Sequence, residues 1–95
     1  MNLQISEEAA EWYKNELELE ETDEVRFFVR YGGIGGHQPG FSLGIAAEAP
    51  SEPVTESEVH GILFFVEQQD SWYFDGADLH IEYNGETEEP SFEYN

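Results

Sequence analysis

The chain has 95 residues, no cysteine, and 22 Asp plus Glu against 3 Lys plus Arg, a formal net charge of −19. That surface repels nucleic acid and anionic membranes, and the missing thiols exclude disulfides, thiolate metal sites and cysteine nucleophiles. Hydrophobic residues make up 39% and aromatics 15%, enough for a packed core, so we expect one domain over residues 1–95.

No apolar run approaches the roughly 18 residues of a membrane span, and the Met1-Asn2-Leu3-Gln4 start lacks the basic region of a secretion signal. A cytoplasmic protein is the expectation. Ser6 is a predicted N-cap, with Glu7 and Glu8 where a helix N-terminus favours negative charge. Ile5 is placed to staple onto Ala10. Ala9, Ala10, Tyr13 and Leu17 share one face, which predicts a helix over Ser6 to Glu18 with Trp12 off the centre of the stripe. The acidic run from Glu18 to Glu24 reads as a solvated turn.

Val25, Phe27, Val29 and Tyr31 alternate with Arg26, Phe28 and Arg30, and Phe41, Leu43 and Ile45 alternate with Ser42, Gly44 and Ala46. These are two strands. Between them Gly32 to Gly40 holds five glycines in nine positions, together with His37, Gln38 and Pro39. Such a loop serves positive φ or close approach, as a functional loop or a wide hairpin turn. Glu48 to Glu58, with Pro50 and Pro53, reads as a loop or a short edge strand around Val54.

Ile62-Leu63-Phe64-Phe65-Val66 predicts a strand buried on both faces. Ser71-Trp72-Tyr73-Phe74 is a helical turn or a strand, and Asp75-Gly76 a turn. Leu79, Ile81 and Tyr83 mark another strand closed by Asn84-Gly85, and Phe92 and Tyr94 a last short pairing or a docked end. The sum is an α+β domain in which antiparallel connections dominate.

The glycine loop fits neither phosphate-binding pattern: it lacks Gly-Lys-Ser/Thr, a strand follows it, and Gln38 stands where the dinucleotide motif needs its third glycine. Arg26 and Arg30 share one strand face, placed for ion pairing with carboxylates or for anion recognition. His60 and His80 read as surface residues. His37, displayed by the glycine loop, is a hydrogen-bonding residue or a metal ligand. No catalytic arrangement is present in the spacing, so the chain reads as a non-enzyme.

Several stretches resemble the HesB/IscA-type domain, the A-type iron–sulfur carrier family, and especially its YneR-like branch: Ser6-Glu7-Glu8-Ala9-Ala10, Gly40-Phe41-Ser42-Leu43-Gly44, Tyr73 to Leu79, and Ser91-Phe92. The resemblance implies a compact β-rich domain of small mixed sheets with a packed N-terminal helix. It also implies cluster binding through three cysteines, which this chain lacks. Laid on that motif, the loop cysteine falls at about Gln38 beside His37, and the C-terminal pair at about Glu86 and Glu88. Carboxylates are hard ligands, poorly suited to a conventional iron–sulfur cluster. Three expectations follow. One is a non-enzymatic HesB-like protein related to iron–sulfur cluster assembly but holding no conventional cluster. Another is an acidic module for a basic protein partner, with contacts from Gly33, Gly35, Gly36, Gln38, Gly40, Arg26 and Arg30. The third is a divalent metal site formed by His37, Glu86 and Glu88.

Overall fold

In a computed structural model, which describes residues 1–33 and 36–95, the described residues form seven strands and two short α-helices. Ser6 caps the first helix as its side chain implies, accepting from the Ala9 N–H at 3.1 Å, and α1 runs Glu7–Glu16. Leu17 ends it, so the helix is shorter than the apolar stripe suggested. Ala9, Ala10 and Tyr13 are its buried residues.

Ahead of α1, Leu3–Ile5 forms β1, a three-residue strand that the sequence pattern does not announce. β2 (Glu24–Tyr31) and β3 (Phe41–Ala47) pair antiparallel without interruption from Val25↔Ala47 to Tyr31↔Phe41. Of the loop and the edge strand expected around Val54, the edge strand forms and is longer: Pro53–Val59 is β4, terminal in its sheet, and it pairs antiparallel with β5 (Ile62–Glu67) across a register shift at Pro53/Thr55. The turn between them is His60-Gly61, both at positive φ (55° and 77°), the conformation that two-residue hairpin loops require. After a 3-10 turn (Gln68–Asp70), Ser71–Phe74 is helical (α2) and ends on Asp75 in the left-handed region. β6 (Leu79–Asn84) and β7 (Glu89–Tyr94) close the chain as a hairpin.

The strands make two sheets, ordered β1-β6-β7 and β3-β2-β5-β4. Antiparallel pairs outnumber parallel ones, but two parallel joins, β1 with β6 and β2 with β5, bring distant parts of the chain together. Helix α1 and the two sheets share one core. Tyr13 of α1 meets Phe27 of β2 edge-on at 5.6 Å, Phe27 stacks on Phe64 of β5 at 6.0 Å, and Phe92 of β7 meets Phe27 edge-on at 6.1 Å. Removing a side chain like Phe27 from water stabilises the fold by about 1.5–3 kcal/mol. β5 is buried on both faces, as its unbroken apolar run implies: Phe64 and Phe65 are both fully buried though they point to opposite sides of the sheet. No helix among the described residues is long and apolar enough to cross a membrane.

Candidate functional site: an aromatic ledge at the glycine loop

The loop between β2 and β3 is anchored from below by Tyr73 of α2, a fully buried residue. The His37 N–H donates to the Tyr73 hydroxyl at 2.6 Å, and the Gln38 amide donates to the Tyr73 carbonyl at 3.3 Å. The His37 ring stacks on Tyr94 of β7, 4.6 Å between centroids and 21° apart. The Tyr73 and Tyr94 hydroxyls lie 3.4 Å from one another. Burial raises the Tyr94 pKa well above the ordinary phenol value, and its hydrogen bond and charge interaction with Tyr73 add to the rise. Gly36 sits where a Cβ would collide with the Phe41 carbonyl and the Tyr73 hydroxyl, so only glycine lets the loop come down onto this platform. At this position the glycine serves close approach.

Above the platform lies an aromatic ledge. Tyr31 at the end of β2 is 89% exposed and Trp72 of α2 is 53% exposed, the large hydrophobic residues most open to solvent among the described residues. Phe41, the first residue of β3, joins them, edge-on to Tyr31 at 5.7 Å and to Trp72 at 5.1 Å. Three elements converge here because β2 and β3 pair at Tyr31↔Phe41 while the loop is tied to α2. Exposed Trp and Tyr are among the side chains enriched at the hot spots where proteins meet. Strand ends and a four-residue helix gave no periodic signal for the ledge. Aromatics flanking both ends of the glycine loop were the one clue.

The three candidate metal ligands are not brought together. His37 packs on Tyr94, which pairs with Leu79 at one end of the β6–β7 hairpin, whereas Glu86 and Glu88 sit in the turn beyond Asn84↔Glu89 at the other. Five residues of strand separate those ends by about 17 Å, far beyond the reach of one ion. The Glu86 N–H is taken up by Asn84 Oδ1, and the Glu88 carbonyl accepts from Trp12 Nε1, so these residues shape the turn. Among the described residues no group of three His, Cys, Asp or Glu could hold a metal ion.

Arg26 takes the ion-pairing role. Its guanidinium binds Asp70 at 2.8 Å and Glu48 at 3.2 Å, linking β2 to the turn before α2 and to the segment after β3. Burial opposes its charge, but the hydrogen bonds and charges of Asp70 and Glu48 outweigh that and raise its pKa. Nearby, Glu67 is buried and accepts from the Ser51 and Glu52 N–H groups, each at 2.7 Å, fixing the loop into β4. Arg30 stands apart, exposed on the wall of a groove beside β3. Gly33 and Gly40 take positive φ (85° and 84°), and Gly40 closes the loop by accepting from the Gly32 N–H at 2.7 Å. Gly35, also expected to contact a partner, lies outside the described residues. His60 is an exposed turn residue, and His80 lies 3.1 Å from Glu82.

Fold and ledge together define a small two-sheet α+β protein with an exposed aromatic surface. The chain belongs to the family of a Bacillus subtilis (strain 168) protein named pyruvate dehydrogenase inhibitor, with which it is 54% identical over 94 residues, 99% of each chain. It is also 36% identical over 95 residues to a Staphylococcus saprophyticus protein (97% of each chain). A Staphylococcus aureus (strain USA300) protein is 38% identical over 98 residues, 99% of this chain and 97% of the relative. Both staphylococcal proteins are named only as uncharacterized. No protein-family profile matches the chain.

These findings overturn the resemblance to the HesB/IscA-type domain and the link to iron–sulfur cluster assembly, because the full-length relative is named for enzyme inhibition. The stretches that suggested it have local explanations. Ser6 to Ala10 is a capped helix start, Gly40 to Gly44 leads into an edge strand, and Asp75-Gly76 is a turn at φ 48° and 83°.

Proposed function

We propose that this chain inhibits pyruvate dehydrogenase by binding it, acting as a protein ligand and not as a catalyst. The observation that carries this reading is the 54% identity, over 99% of both chains, to a protein that bears that name. The aromatic ledge supports it by supplying a preformed docking surface. Tyr31 and Trp72 present large amphipathic areas, and Trp72 packs edge-on against both Phe41 and Tyr73, which restricts its side chain and lowers the entropy lost on contact. A net charge of −19 directs the chain to a basic surface on the enzyme and speeds the encounter, an effect that weakens with salt.

The test is inhibition of purified pyruvate dehydrogenase by the full-length chain, followed by substrate-independent binding in a sedimentation assay at 50 and 300 mM salt. Saturable inhibition with a co-sedimenting complex, weaker at the higher salt, is expected. Enzyme that keeps full activity at saturating protein, with no complex at either salt, would remove the proposal.

A further inference from the structure

Where β6 ends, the space between it and α1 is lined by aromatic and carboxylate side chains together. Leu79, Ile81 and Tyr83 alternate along β6; the first two are fully buried, and Tyr83 near the strand's end is only partly so. Opposite it, Glu8, Glu11, Trp12 and Asn15 are spaced i, i+3, i+4 and i+7, a single stripe of α1 beside its buried face. These residues line a hollow of about 260 Å³.

Trp12 is held from two directions. Its Nε1–H donates to the Glu88 carbonyl at 3.1 Å, and its ring meets Tyr13 edge-on, 5.3 Å between centroids and 88° apart. The carboxylates are not held. Among the described residues the ion pairs are Arg26 with Glu48 and Asp70, and His80 with Glu82, so neither Glu8 nor Glu11 has a cationic partner there. Lys14 lies on α1 but off the lining stripe, and Arg30 lines the neighbouring groove, which shares Trp12 and also carries Glu89. The helix dipole accounts for Glu8 in the first turn of α1, but Glu11 lies beyond that turn.

Aromatic faces attract a cation, and carboxylates both attract it and accept its hydrogen bonds. Among the described residues no three metal-ligating side chains converge, and the rings favour an organic cation over a metal ion. A quaternary ammonium has no N–H to give Glu8, Glu11 or Asn15, and a lysine ammonium is a compact, strongly hydrated point charge. A guanidinium is flat and weakly hydrated, stacks on aromatic faces, and donates through a fork of N–H groups in its plane. We propose that the hollow receives a guanidinium group, stacked on an aromatic ring of its wall and donating to Glu8 and Glu11. An arginine side chain of a partner protein and a free guanidine compound share this chemistry. The hollow is built from α1 and β6 and the aromatic ledge from β2, β3 and α2, so the site stands or falls apart from the inhibition proposed above.

The test follows the indole N–H resonances of the 15N-labelled full chain at constant ionic strength. The probes are methylguanidinium, a short peptide with one arginine among glycines, and the same peptide with lysine in its place. A saturable shift of Trp12 is expected, with a dissociation constant on the order of 1 mM, while Trp72 stays unmoved. The lysine peptide should bind about fivefold more weakly, and Glu11→Gln, at an exposed position, should weaken the guanidinium probes about fivefold without changing Tm. Saturation by methylguanidinium and the arginine peptide assigns the hollow to a protein arginine, and saturation by methylguanidinium alone assigns it to a free guanidine compound; both uphold the site. Equal binding of the lysine peptide, or a parallel shift of Trp72, would reduce the effect to net charge and overturn the proposal. So would the absence of saturation, or unchanged binding by Glu11→Gln.

Discussion

The imidazole of His37 lies flat on the ring of Tyr94, 4.6 Å away, and that contact ties the glycine loop to the last strand of the chain. Together with the His37 N–H bond to Tyr73, it holds the loop from two sides, and the ledge of Tyr31, Phe41 and Trp72 is presented beside it.

If Tyr73 is the post on which the loop rests, Tyr73→Phe leaves the His37 N–H without its partner in a part-buried site. The expected cost is about 1–2 kcal/mol in urea unfolding. Hydrogen exchange at His37 should accelerate while exchange in β5 is slowed or sped only by the global change. Unchanged exchange at His37 would show that the loop is held by the ring stack alone.

Arg26 bridges a buried and a half-exposed carboxylate, and the two should differ in cost. Arg26→Met strands Asp70 as a buried charge and is expected to destabilise by about 3 kcal/mol. Glu48→Gln removes a partner that water already screens and should cost less than about 1 kcal/mol. Denaturant midpoints of the two variants give the comparison directly, and equal losses would contradict it.

Stability should fall in alkaline solution. An unfolded tyrosine ionises near pH 10. Folded Tyr13, raised by burial and then by the charge of Glu89, and Tyr94, raised by burial and then by Tyr73, keep their protons beyond that pH. Above pH 10 the folded state therefore binds more protons than the unfolded one, and stability declines as pH rises. Their contribution is fully present below pH 10. Thermal melts of Tyr94→Phe should show a shallower decline from pH 10 upward than the parent chain, and an identical slope would refute the assignment.

With 22 acidic residues against 3 basic ones, self-repulsion opposes folding, and salt should relieve it. The screening length shrinks from about 10 Å at 0.1 M to about 3 Å at 1 M. A gain of about 1 kcal/mol would raise Tm by about 4–8 °C in a domain of this size. Calorimetry across that salt range checks the sign. A melting temperature that fell with salt would mean that attractive pairs such as Arg26 with Asp70 dominate.

Much of the fold was legible because local pattern fixes it. The Ser6 cap, the alternation along β2 and β3, and the unbroken apolar run of β5 each specify an element within a short window. β1 escaped notice because three residues carry no periodicity, and it exists through pairing with Leu79 to Ile81 far along the chain. β4 read as a loop or a short edge strand around Val54, and the edge strand is what forms: Pro53, Glu56 and Glu58 are edge-strand chemistry whose full length shows only in the pairing with β5. The site was less legible for the same reason. His37, Glu86 and Glu88 were grouped through a resemblance that does not hold, and the β6–β7 hairpin puts its turn and its free end far apart. Tyr31, Phe41 and Trp72 meet through register and a tyrosine hydroxyl, relationships that no spacing in the chain expresses.

Inhibition by Trp72→Ala measured against the parent chain, on purified pyruvate dehydrogenase, tests the central claim most directly. Trp72 is half-exposed, so the variant should fold with a stability loss below about 1 kcal/mol. A hot-spot residue contributes about 2 kcal/mol or more, and the half-inhibitory concentration should therefore rise at least tenfold. A folded variant that inhibits as well as the parent would contradict the role of the ledge.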